Sequence, residues 1–200
     1  MVQAVYFDLG KVLADFNWKP AAEKIAQHSD MHPGEVYALC TNSSLALQYE
    51  TGKIDTEHFF GRLKEDLGFR ESPETLMEFW SDIFTPIPEN LSVLDRVRAK
   101  YPVGLISNTN EAHVRWIEEK FGFLKFFPKP TYSFITGYMK PQTEIYLAAL
   151  DSLSITAEKT LFIDDLEVNT TAASRLGMNS FHLKEGLDLG EELRKYGLDI

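Results

Sequence analysis

Val2-Gln3-Ala4-Val5-Tyr6-Phe7-Asp8-Leu9-Gly10 is a short run of β-forming residues that stops at an acid and a glycine. Two other segments have the same form. Val103-Gly104-Leu105-Ile106 ends at Ser107-Asn108-Thr109, and Thr160-Leu161-Phe162-Ile163 ends at Asp164-Asp165. Thr131–Ile135 is a weaker strand signal, and Met178-Asn179-Ser180-Phe181 makes a fifth. Helical periodicity follows the later strands at Glu111–Lys120, Gln142–Leu153 and Val168–Leu176. Strands alternating with helices predict a parallel sheet covered on both faces.

Between the first two strands the pattern changes. Residues from Trp18 to Ile83 show helical periodicity alone, broken at Pro33-Gly34, Thr51-Gly52-Lys53 and Ser72-Pro73. Ser72 followed by Pro73 reads as a helix start. Thr85-Pro86-Ile87-Pro88-Glu89-Asn90 reads as a return linker, because two prolines argue against a helix there. The expected fold class is therefore α/β: a Rossmann-like parallel-sheet core over residues 1–16 and 87–200, with an all-helical cap inserted at 17–86.

The bulk numbers narrow the function. The 200-residue chain carries a formal net charge of −10, which argues against a nucleic-acid partner. An anionic ligand must then be held by local positive features or a bound cation. Cys40 is the single cysteine, so no intrachain disulfide forms. No apolar run is long enough to cross a bilayer, and the expected address is the cytoplasm. Oligomeric state stays open between a monomer and a weak homodimer.

In open parallel sheets, ligands bind at the carboxyl ends of the strands. Here those ends carry Asp8, Ser107 and Asp164-Asp165, and Lys140 stands before Pro141 at a helix start. Carboxylates from two loops suit Mg²⁺, a hard cation that takes oxygen ligands. A hydroxyl, an ammonium and backbone N–H groups suit phosphate oxygens. The remaining anionic group is a candidate nucleophile.

These residues carry a family resemblance. Phe7-Asp8-Leu9-Gly10-Lys11-Val12, Ile106-Ser107-Asn108-Thr109, Lys140-Pro141, and Ile163-Asp164-Asp165 with Asn169 resemble the four ordered motifs of the haloacid dehalogenase-like (HAD) hydrolases. The helical insertion matches a cap position of that superfamily. Asp8-Leu9-Gly10, Ser107-Asn108-Thr109-Asn110 with His113, and the cap segment Tyr49-Glu50-Thr51-Gly52-Lys53-Ile54-Asp55 resemble the branch holding α-D-glucose-1-phosphate phosphatase and the N-terminal domain of soluble epoxide hydrolase. The resemblance implies a Mg²⁺-dependent phosphatase for a small phosphorylated metabolite. It implies Asp8 as nucleophile through an aspartyl-phosphate, with Mg²⁺ held by Asp8, the Gly10 carbonyl, Asp165 and Asp164. It also implies Ser107, the Asn108 backbone and Lys140 on the phosphoryl oxygens.

One departure stands out. Most phosphatases of the superfamily have a second aspartate two residues after the nucleophile, to protonate the leaving group; here that place is Gly10. General acid help contributes about 10²–10⁴-fold. Its loss favours a good leaving group, such as that of a hexose 1-phosphate. Asp15 is a remote substitute, and Lys11 also departs from the usual small residue. The rival readings are a 2-haloacid dehalogenase, which needs no such acid, and a catalytically weak phospho-ligand-binding protein. Asn169 is expected to fix its loop, and His113 to be structural. Phe16 and Trp18 fall where the chain leaves the core for the cap, and core packing is preferred for them over lining a substrate mouth; Cys40 is expected in the cap interior and Lys53 in solvent. Residues 184–195 are expected to form a solvated helix face.

Overall fold

The computed structural model describes residues 1–200. After strands β1 (Ala4–Phe7) and β2 (Ala14–Phe16) come five helices, α1 (Trp18–Gln27), α2 (Pro33–Asn42), α3 (Ser44–Glu50), α4 (Thr56–Leu67) and α5 (Pro73–Ser81). The chain returns through β3 (Phe84–Pro86), α6 (Pro88–Arg98), β4 (Val103–Ser107), α7 (Glu111–Phe121), β5 (Thr131–Tyr132) and α8 (Ser133–Thr136). It finishes with α9 (Thr143–Leu153), β6 (Thr160–Asp164), α10 (Glu167–Arg175), β7 (Asn179–His182) and α11 (Leu189–Lys195). No helix is long and apolar enough to cross a membrane.

Five strands form one parallel sheet in the order β5-β4-β1-β6-β7. Successive side chains of a strand point to opposite faces, and here both faces are covered. Val5, Phe7, Leu105, Leu161 and Ile163 pack with Val97 of α6, Ile117 of α7 and Leu193 of α11. Tyr6, Ile106 and Phe162 pack on the other face with Tyr146 and Ala149 of α9 and Ala173 of α10. The Tyr6 hydroxyl donates to the Ala149 carbonyl at 2.7 Å. Gly104 on the neighbouring strand makes room for that ring, since a Cβ there would lie 2.3 Å from it.

Helices α1–α5 bury a separate cluster around Ile25, Val36, Phe59, Leu63 and Trp80. Ala112 of α7 joins it, and its N–H donates to the Tyr49 hydroxyl at 3.0 Å. The chain leaves and re-enters the core through a two-stranded antiparallel ribbon, with Phe16 opposite Phe84.

Three expectations need correction. The stretch 85–90 is not a plain linker: Thr85 and Pro86 belong to β3, and Pro88 opens α6. Proline is tolerated at the first helical position because its missing N–H would have had no intrahelical partner. The strand expected over Thr131–Ile135 stops at Tyr132. There the Ser133 hydroxyl accepts from the Thr109 N–H and donates to the Thr109 carbonyl, both at 3.0 Å, and α8 begins. The face expected to be solvated over 184–195 is solvated on one side only, because Leu189 and Leu193 of α11 are buried in the core.

Candidate active site

Because β1 is central, Asp8 leaves the middle of the sheet's carboxyl edge, between Ser107 at the end of β4 and Asp164 at the end of β6. Asp8 and Lys140 are buried, and so is Asp164. The Lys140 Nζ lies 2.7 Å from Asp8 Oδ1 and 2.6 Å from Asp164 Oδ2. Asp8 Oδ1 also accepts from the Leu9 N–H at 2.7 Å. Asp164 is held from all sides: its Oδ1 accepts from the Leu166 N–H at 2.8 Å, and the Asn169 amide donates to both its oxygens at 3.0 and 3.1 Å. Asn169 thus fixes the loop, as its place in the sequence suggests.

Lys140 is positioned by Asn108. The Asn108 side chain donates to the Lys140 carbonyl at 3.0 Å and accepts from the Lys140 N–H at 2.7 Å. This two-way clamp occupies the Asn108 side-chain amide. The Ser107 hydroxyl is buried at the strand end and lines the cleft described below. Asp8, Lys140 and the pair Asp164-Asp165, from three separated stretches of sequence, meet at one place, with Ser107 at the neighbouring strand end.

The electrostatics follow from burial. Burial pushes the Asp8 carboxyl up to about 7; Lys140 opposes this and the Asp164 carboxylate adds to it. For Lys140, burial alone would lower the pKa, but Asp8 and Asp164 together outweigh it and the net direction is upward. Burial, then Asp164, raises the half-buried Asp165. Carboxylate oxygens of Asp8, Asp164 and Asp165 lie within 4.8 Å of one another, with one ammonium among them. Three acids against one base leave a buried excess of negative charge, and the donors are all hard oxygens. A divalent cation such as Mg²⁺ fits both the charge and the chemistry.

Above this edge lies a cleft of about 290 Å³ between sheet and cap. Gly10, Ser107 and Asn108 form its floor side; Phe16, Trp18, Ile83 and Phe84 form an apolar wall; Tyr37, Cys40 and Glu50 come from the cap. Phe16 and Trp18 are thus half-buried cleft walls rather than plain core residues. Cys40 is buried as expected, yet it also reaches the cleft. His113 lines it too, stacked on Trp80 with ring centroids 4.0 Å apart, and burial drives its pKa down to about 3. Lys53 is exposed and outside the cleft.

The place left empty by Gly10 is filled. A Cβ at Gly10 would lie 2.9 Å from Cε1 of Phe16, so the Phe16 ring stands where a longer side chain would project. Asp15 does not substitute. It pairs with Lys11, whose hydrogen bond holds its carboxyl below the usual range, and it lies outside the cleft, in a neighbouring depression that Asp165 also lines. Sequence reasoning missed Glu50 as a cleft residue. The available signal was an acid at the C-terminal end of α3, where the helix dipole disfavours negative charge.

A family model described as haloacid dehalogenase-like hydrolase matches residues 2–177. The chain belongs to the haloacid dehalogenase-like hydrolases. Among its HAD relatives is a D-ribitol-5-phosphate phosphatase from Bacteroides thetaiotaomicron, 24% identical, the match covering 96% of this chain and 97% of that protein. Another is the sesquiterpene phosphatase astK from Aspergillus oryzae, 26% identical, covering 96% and 95%. Among solved structures, a HAD family enzyme from Bacteroides thetaiotaomicron in complex with magnesium and inorganic phosphate superposes with a TM-score of 0.87 at 26% identity, over 97% of this chain and 100% of that one. An L-2-haloacid dehalogenase shares the fold at a TM-score of 0.69 and 16% identity, over 98% and 100% of the two chains.

Proposed function

We propose that this HAD hydrolase cleaves the phosphate monoester of a small metabolite, with Asp8 as nucleophile. One observation carries the reading: a buried lysine bridges Asp8 and Asp164 at the sheet edge, beside a third carboxylate and the Ser107 hydroxyl. A carboxylate approaches a phosphate dianion only if positive partners screen the repulsion, and catalysis is then mostly positioning and electrostatics. Asp8 attacks phosphorus in line and forms an aspartyl-phosphate that water later hydrolyses. Lys140 stays on Asp8 and offers its remaining proton to a phosphoryl oxygen. Ser107 and the Asn108 N–H hold other phosphoryl oxygens.

Asp8, the Gly10 carbonyl and Asp165 would hold Mg²⁺. Asp164, whose oxygens are already engaged by Lys140, Asn169 and Leu166, would support it through water. When bound, the cation neutralises charge on the phosphoryl group.

The cleft sets the substrate class. No lysine or arginine lines it, and half of its lining is apolar. It therefore suits a leaving group without a second anionic charge. Ribitol and sesquiterpene alcohols, the groups named for the two relatives, are both uncharged. A hexose 1-phosphate belongs to the same class. A dehalogenase would have no use for the cluster of three carboxylates.

The test is a phosphatase assay over uncharged-alcohol phosphates, with Mg²⁺ and with EDTA, on the natural protein and on Asp8→Asn. Turnover should need the metal and should fall at least about 10³-fold in the variant, with an unchanged melting curve. Full activity in Asp8→Asn, or halide release from 2-haloacids in EDTA, would refute this assignment.

A further inference from the structure

Resting on the phosphatase reading above, we propose that Glu50 of the cap is the general acid that protonates the leaving oxygen, doing from across the cleft what no side chain at Gly10 can do.

The ordinary position for such a group is closed. Gly10 has no side chain, and the Phe16 ring occupies the adjoining space. Asp15 is tied to Lys11 and does not line the cleft. Among the residues lining the substrate cleft, Glu50 is the one that carries a carboxyl group, and it shares that lining with Gly10, Ser107 and Asn108.

The Glu50 carboxyl has no hydrogen-bond or ion-pair partner in the protein, so its proton is not committed elsewhere. Desolvation pushes it up to about 7, so near neutrality a large share of it carries a proton where an ordinary glutamic acid would be ionised. The titratable neighbours from the packed elements are Tyr37 and Cys40 of α2 and His113 of α7. Burial pushes the Cys40 thiol up to about 12 and the His113 ring down to about 3, so neither brings a charge to the cleft near neutrality.

The step balances. An Asp8 oxygen forms a bond to phosphorus as the bond from phosphorus to the ester oxygen breaks. The electron pair of that bond goes to the ester oxygen, which takes the Glu50 proton and leaves as a neutral alcohol. Water then attacks the aspartyl-phosphate and gives one proton to the Glu50 carboxylate. The acyl–phosphate bond breaks, and inorganic phosphate and both starting side chains are restored. With an acid in place, the enzyme is not confined to esters whose alcohol leaves easily.

The experiment compares kcat/KM, which reports only steps through alcohol departure, for a primary alkyl phosphate and for 4-nitrophenyl phosphate. Nitrophenolate leaves without a proton. Glu50→Gln, which keeps shape and removes the acid, should lower kcat/KM about 10²-fold or more on the alkyl ester. On the nitrophenyl ester it should stay within about 3-fold of the natural protein. Glu50→Asp should fall between the two on the alkyl ester; it carries the test if the glutamine variant fails to fold. A loss shared equally by both esters, or no loss on the alkyl ester, overturns the proposal. Asp8→Asn should lose both esters. If instead it retains them, the phosphatase reading itself fails, and that result is distinct from a failure confined to Glu50.

Discussion

The aspartate at residue 8 and the aspartate at residue 164 share one lysine but have different surroundings. Asp164 has every oxygen engaged, by Lys140, Asn169 and the Leu166 N–H. Asp8 keeps Oδ2 outside the contacts that hold Oδ1. That asymmetry, set by hydrogen-bond partners rather than residue type, is what the proposed division between a supporting Asp164 and a nucleophilic Asp8 rests on. Gly10 and Phe16 form another such pair. Gly10→Ala should destabilise the protein by about 1–3 kcal/mol, because the new methyl group overlaps the Phe16 ring. Gly10→Ala combined with Phe16→Leu should recover part of that loss in urea denaturation. A double variant no better than the single one would show that the ring is not the obstacle.

At the scale of elements, α7 ties cap to core. Its His113 stacks on Trp80 of α5 and meets Phe84 of β3 edge-on at 4.9 Å. The His113 ring is held neutral: burial puts its pKa at about 3, against an ordinary value of 6.5. A base whose pKa is depressed by folding stabilises the fold above its unfolded pKa. Below that value the unfolded chain gains a proton that the folded one refuses. The contribution of His113 is thus complete above pH 6.5 and is lost as pH falls from 6.5 toward 3. Between pH 7 and pH 5 the natural protein should lose about 2 kcal/mol more unfolding free energy than His113→Gln. Parallel slopes in urea titrations would mean that the ring takes its proton inside the fold.

For the whole molecule, the decisive arrangement is the sheet order. With β1 between β4 and β6, the ends of three strands become neighbours, and four acid and base side chains crowd into a buried space. Their excess negative charge makes the cation a structural matter as well as a catalytic one. At Mg²⁺ about 100 times its Kd, stabilisation should reach about 2.7 kcal/mol. For a chain of this size that is a Tm rise of about 5–10 °C. Asp165→Asn should remove most of the rise in a thermal melt, and a natural protein indifferent to Mg²⁺ would exclude the cation from the site.

The sequence by itself determined the parallel sheet, the helical insertion and the grouping of Asp8, Ser107, Lys140 and Asp164-Asp165. Short continuous apolar runs for strands and period-3.6 patterns for helices are local, and strand-end polar residues follow from them directly. The ribbon of β2 and β3 was not legible, since three-residue strands carry almost no pattern and Pro86 argues against one. Only the tertiary structure decided that Phe16 fills the space beside Gly10, that Asn108 clamps Lys140, and that Glu50 faces the cleft without a partner. The first two depend on how loops of the core fold back on one another and the third on how the cap seats on the core, contacts that the spacing of neighbouring residues does not encode.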